Sequence, residues 1–155
     1  MRNAAVVVSL SPQSVCAGVD GSGAASLYPL RNDWREGTGG SRDGTNWVYR
    51  DQTVSGLRLG WMCSGANGVG ANGNAADRGQ DALARVNREL AGQQQMRFEL
   101  DAASLASLVA FSTVDRSTNV SVLLIPDVSA AGWCVATKEK QDVSLRPRLE
   151  VEVCQ

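Results

Sequence analysis

The five residues Met96-Arg97-Phe98-Glu99-Leu100 set three apolar side chains at alternate positions with charges between them. A period of two puts Met96, Phe98 and Leu100 on one side of an extended chain and Arg97 and Glu99 on the other. That is the pattern of a strand with one face in a core and one in water; a helix would scatter the same residues around its axis. Two other stretches repeat it. Gly56 to Met62 (GLRLGWM) alternates Leu57, Leu59 and Trp61, and Arg148 to Val153 (RLEVEV) alternates Leu149, Val151 and Val153 with charged residues. One-sided alternation is characteristic of antiparallel sheets, whereas parallel strands covered on both faces read as continuous apolar runs.

On either side of these runs the chain stays mostly extended. Asp101 is placed to cap a short helix through Ala102 to Val109, a turn or two with Leu105, Leu108 and Val109 as its buried face. Near the start, the Val-rich run Ala4 to Ser9 reads as a buried strand, and Ala25 to Leu30 (ASLYPL) as a second, with Pro29 marking an edge or a strand end. These two are expected to pair as neighbours. Trp47 to Arg50, Asn119 to Ile125 and Gly132 to Thr137 are further short strands. The pattern predicts an all-β chain, a single antiparallel β-sandwich domain over residues 1–155 with one or two short helical turns.

Composition excludes several classes of function. With 155 residues and 43% hydrophobic content the chain is long enough for a core of its own. A net charge of -1 provides no basic field to draw nucleic acid or an anionic membrane, so neither is an expected partner. Histidine is absent, which rules out His-based triads and His-ligated zinc. No stretch approaches the ~20 apolar residues of a membrane-spanning helix. The apolar run Ala4 to Leu10 is too short for a secretion signal, and Gln13-Ser14-Val15 before Cys16 does not make a lipidation motif, so no leader is expected within this stretch. Cys16, Cys63, Cys134 and Cys154 are widely spaced with no C-x-x-C pair, which suits disulfides better than zinc. In the expected sandwich, Cys16 with Cys63 and Cys134 with Cys154 can close neighbouring strand or loop ends; buried free thiols in a reducing compartment are the alternative.

The residues with most to offer a ligand lie between Leu30 and Trp61. Trp34 and Trp47 flank a loop, Gly37 to Gly44, that has almost nothing to bury, and Trp61 follows shortly after. An exposed indole can stack on a sugar ring, while Arg50, Arg42 or Arg35 can grip a uronate carboxylate in fork geometry. The plainer reading makes Trp47 and Trp61 core residues and Arg50 a structural partner of Asp33, Glu36 or Asp51. Asp33, Glu36, Gly37 and Asp51 organise the loop ends in either case. Calcium is the one cofactor the loop chemistry suggests, through the oxygens of Asp33, Glu36, Asp43 or Asp51, without a spaced ligand motif. As an acid and base pair Asp33 and Glu36 sit too close along one loop, and no nucleophile and base can be picked out, so the chain reads as non-catalytic. Gly68, Gly70 and Gly73 fit G-x-G-x-x-G, with Leu83, Val86 and Leu90 at helical spacing after them. A nucleotide site there lacks the alternation of strand and helix that such folds require.

The run Asp33-Trp34-Arg35-Glu36-Gly37-Thr38, then Gly44-Thr45-Asn46-Trp47 with Tyr49-Arg50-Asp51, then Trp61 and a Gly-rich segment ending near Asp77, resembles the DNRLRE domain family. Phe98-Glu99-Leu100, Lys138-Glu139 and Arg146-Pro147-Arg148-Leu149 with Val151 are similar to segments near the family's end. The resemblance covers most of the chain from Ala4 and implies a secreted jelly-roll sandwich, some of whose relatives bind acidic polysaccharide such as alginate. Members usually begin with additional strands before the one matched here by Ala4 to Ser9. The Val-rich segment Ala5 to Val8 is therefore expected at a sheet edge or against a second copy, in a homo-oligomer. Two readings follow: an extracellular, non-catalytic module whose ligand is a glycan, and a structural or assembly domain with no small ligand.

Overall fold

The computed structural model describes residues 4–11, 23–31, 34, 44–45, 49–52, 56, 58–60, 66, 68–69, 77–88, 95–113, 120–126 and 141–153. In chain order its strands are β1 (Ala4–Leu10), β2 (Gly23–Leu30), β3 (Tyr49–Gln52), β4 (Arg58–Gly60), β5 (Ala84–Arg88) and β6 (Met96–Leu100); then come helix α1 (Ala102–Thr113), β7 (Ser121–Pro126) and β8 (Arg148–Val153). The fold is mostly β, with antiparallel sheets packed together as a sandwich. The chain forms two compact units, one of Met1–Leu27, Leu83–Ala106 and Leu124–Gln155, the other of Tyr28–Ala82 and Ser107–Leu123.

In the first unit, β1 lies between β6 and β8, antiparallel to both. Residues directly opposite one another in an antiparallel pair share a face. Val8 sits between Phe98 and Leu149, and Val6 between Leu100 and Val151, so one face is apolar across all three strands. The other face carries Arg97, Glu99, Arg148 and Glu150, and Arg97 reaches across β1 to Glu150 at 3.6 Å. Met96, Phe98 and Leu100 are buried and Arg97 and Glu99 exposed, as their alternation predicts. The second sheet has the order β5-β2-β7, and β2 is its central strand, buried on both faces from Ala24 to Leu27.

Several expectations are corrected. The Val-rich segment is not at an edge and does not pair with β2; β1 is the central strand of its sheet and β2 the central strand of another. Its sequence, AAVVVSL, has no charge on either face, which suits a doubly paired strand; the charged sequences MRFEL and RLEVEV take the outer positions. Residues at helical spacing after the glycines form a strand instead, since Ala84–Arg88 pairs with Gly23–Leu27. Tertiary pairing overrides local spacing there. Leu59, expected on an apolar side, is exposed together with the rest of β4. The candidate strand 132–137 and the cysteines Cys16, Cys63, Cys134 and Cys154 lie outside the described residues.

Helix α1 runs twelve residues, longer than the turn or two expected, and Val109 is exposed while Leu108 is buried. Alanine-rich sequence with no glycine or proline lets it extend. The Asp101 carboxylate accepts a hydrogen bond from the Ser104 N–H at 2.7 Å, satisfying one of the free donors of the first turn. That Ser104 backbone bond, followed by the Ser104 hydroxyl, holds the Asp101 pKa below its ordinary 3.8. A carboxyl lowered on folding stabilises the protein above its unfolded pKa and loses that contribution as pH falls through the folded value. The difference in melting temperature between wild type and Asp101→Ala is accordingly expected to be constant near neutrality and to shrink in acid below the ordinary value of 3.8. A difference that grew on acidification would contradict this role for the cap.

Candidate functional site

The second unit holds the described residues best suited to recognition. Strands β3 and β4 form a two-stranded antiparallel ribbon, Tyr49 opposite Gly60 and Gln52 opposite Arg58, with the register shifting between Tyr49 and Asp51. The Arg58 guanidinium lies over the Tyr49 ring, 5.4 Å from its centre. Gly44, with φ of 78°, donates its N–H to the Gln52 carbonyl at 2.8 Å. This ties the end of the glycine-rich loop to the ribbon, and the left-handed backbone explains why glycine is used there.

Trp34 is 45% exposed, and its indole N–H donates to the Ser121 hydroxyl at 3.2 Å. The bond fixes the ring's orientation while leaving much of it in contact with solvent. Of the other residues singled out from the sequence, Asp51 lies in β3, partly buried, with Oδ1 buried and no hydrogen-bond partner among the described residues. Arg50 belongs to the same strand at the register shift. Trp47, Trp61, Asp33, Glu36, Gly37, Asp43, Arg35 and Arg42 lie outside the described residues. Asp51 is therefore the only member of the suggested calcium set that the structure places.

A second constellation was not anticipated. Residues 77–79 run antiparallel to the end of β2: Arg31 N–H donates to the Asp77 carbonyl and Gly79 N–H to the Pro29 carbonyl, both at 2.9 Å. The Arg78 guanidinium lies 4.1 Å from the centre of the Tyr28 ring and also donates to the Gly79 carbonyl. Asp77 is fully buried and bonded reciprocally to Gly68: its N–H donates to the Gly68 carbonyl at 2.9 Å, and its Oδ2 accepts from the Gly68 N–H at 3.2 Å. Two residues earlier Ala66 is buried with φ of 56°, a left-handed conformation costly for a residue with a Cβ. The signal available in the sequence was the acid itself, Asp77 followed by Arg78 at the end of an uncharged Gly- and Asn-rich run.

This geometry bears on the glycine motif. A dinucleotide loop offers free backbone N–H groups at the start of a helix to a pyrophosphate. Here the amide of the first motif glycine, Gly68, is taken by a carboxylate, and the element that follows is β5. Both features disfavour an anion, while Gly70 and Gly73 lie outside the described residues. Among the described residues no helix is long and apolar enough to cross a membrane. Comparison with protein-family models, with curated proteins and with solved structures finds no match to this chain.

Proposed function

We propose that this protein is a non-catalytic, extracellular β-sandwich module of jelly-roll type, similar to DNRLRE domains, that binds acidic polysaccharide through an exposed indole. The carrying observation is Trp34, whose ring is open to solvent yet held by its bond to Ser121. Apolar sugar faces stack on such rings, and a ring already fixed loses little conformational freedom on binding. Arg50 is, by residue type, suited to pairing with a uronate carboxylate in fork geometry. The placement of β1 and β2 in different sheets supports a doubly layered topology of the jelly-roll kind.

Calorimetric titration with uronate oligosaccharides, alongside a neutral glucan of equal length, tests the reading. The wild type is expected to bind the uronate preferentially. Trp34→Ala should weaken binding by about tenfold or more, the usual scale for removing a central aromatic, and Trp34→Phe should retain most of it. Uronate binding indifferent to Trp34→Ala, or no binding by a folded wild type, would overturn the proposal.

A further inference from the structure

We propose that a second copy of this chain docks on the outer edge of β8, strand against strand and antiparallel about Leu149. The inference stands on residues separate from the indole site and does not depend on the polysaccharide reading. Its starting point is a break in the core of the first unit. Across β1, Leu149 shares an apolar row with Phe98, and Val151 shares one with Leu100. Phe98 and Leu100 are 0% and 1% exposed, whereas Leu149 is 68% and Val151 58% exposed. The apolar face continues onto β8 and is left uncovered there. Pro147, Arg148, Leu149, Glu150 and Val151 are all exposed, and β8 has no strand on its far side among the described residues. An outer strand with open backbone groups and a bare apolar face is a template for pairing.

The charge pattern identifies the occupant. Residues 145–153 read Leu-Arg-Pro-Arg-Leu-Glu-Val-Glu-Val, an inverted repeat in charge: arginines at 146 and 148 precede Leu149, and glutamates at 150 and 152 follow it. Two antiparallel copies related by a two-fold axis at Leu149 place Arg148 of each opposite Glu150 of the other and the two Leu149 side chains opposite one another. Arg146 then falls opposite residue 152, again basic against acidic. Other self-pairings lose this match. A centre at Glu150 sets two like charges face to face, and parallel pairing in register sets every charge opposite its own kind. Directly opposed charges are favourable or unfavourable according to sign, so the pattern that would repel an arbitrary strand selects a copy in one register. The Arg97 contact with Glu150 at 3.6 Å leaves Glu150 on the charged face, where the second copy's Arg148 would join it. Pro147 lacks an N–H and can contribute only its carbonyl, which confines the shared ladder to the few residues around Leu149.

Sedimentation velocity of the full chain over a concentration series tests this. The wild type is expected to dimerise by about 100 µM, reflecting an interface at the small end of the specific range. Arg148→Glu and Glu150→Arg each create two like-charge contacts across the axis and should each weaken self-association by about tenfold or more. An equimolar mixture of the two variants restores both opposite-charge contacts and should form a heterodimer, as should the double variant with itself. Recovery on mixing also shows that the single variants are folded, and circular dichroism checks this directly. A wild type that stays monomeric would overturn the proposal. So would a dimer indifferent to both substitutions, which would place the contact on another surface, or single variants that fold but show no association when mixed.

Discussion

Replacing Phe98 by alanine is expected to lower the unfolding free energy by about 3–5 kcal/mol, the range for deleting a buried aromatic side chain. Phe98 is fully buried in β6. Its same-face neighbours along the strand, Met96 and Leu100, are equally inaccessible, and Val8 lies directly opposite on β1. The backbone ladder holds these neighbours in place, so they cannot close over the space the ring leaves, and the residual cavity adds to the lost transfer energy. Aromatic residues make up only 5% of the chain, which leaves few other large rings to sustain the core. Denaturant unfolding should show a reduced midpoint with an unchanged slope, the sign of lost stability without a change in the surface exposed. Leu149 on the opposite side of β1 supplies the control, since it shares the row with Phe98 but is 68% exposed. In dilute protein Leu149→Ala should change stability by less than about 0.5–1 kcal/mol. Similar losses for the two substitutions would mean that the face is not covered on one side and open on the other.

The fold was legible where side-chain alternation coincided with burial. Met96 to Leu100 shows this directly, because its period of two matches an inward and an outward face residue by residue. Arg148 to Val153 carries the same pattern and does form a strand, yet Leu149 and Val151 remain exposed. Alternation reveals which side chains share a face, and not whether another layer covers that face. The central position of β1 goes with a different property, the absence of charge along its seven residues, which suits a strand paired on both sides. Sequence spacing misled at Leu83 and Val86, where three apolar residues fit a helix but the backbone of 84–88 pairs with β2. Of the candidate site, Trp34 was legible because an indole beside a glycine-rich loop has little core to enter. The buried Asp77 was not, since a carboxylate usually signals the surface and its partner is the backbone of Gly68, which no side-chain pattern encodes.

Asp77→Ala is expected to cost about 2–4 kcal/mol, combining the loss of a hydrogen bond to a carboxylate with the burial of a donor left unmatched. The side chain is inaccessible and its Oδ2 accepts the Gly68 N–H at 3.2 Å in a buried setting. Alanine leaves that buried amide without its carboxylate acceptor. The backbone bonds between Asp77 and Gly68 and between Arg31 and Asp77 survive the substitution in principle, but they lose the side-chain tie that fixes the turn from the far side. Two residues before Gly68 stands the left-handed Ala66, whose strain persists only while its surroundings hold it. Asp77→Asn retains a carbonyl oxygen of nearly the same reach and should therefore be distinctly milder than alanine. Hydrogen exchange gives the local readout: in Asp77→Ala the Gly68 amide should exchange faster than in wild type by more than the global loss of stability explains, whereas the amides of Met96 to Leu100 should follow the global change alone. Uniform acceleration across both segments would show that Asp77 supports the fold as a whole and that the Gly68 turn has no stability of its own to lose.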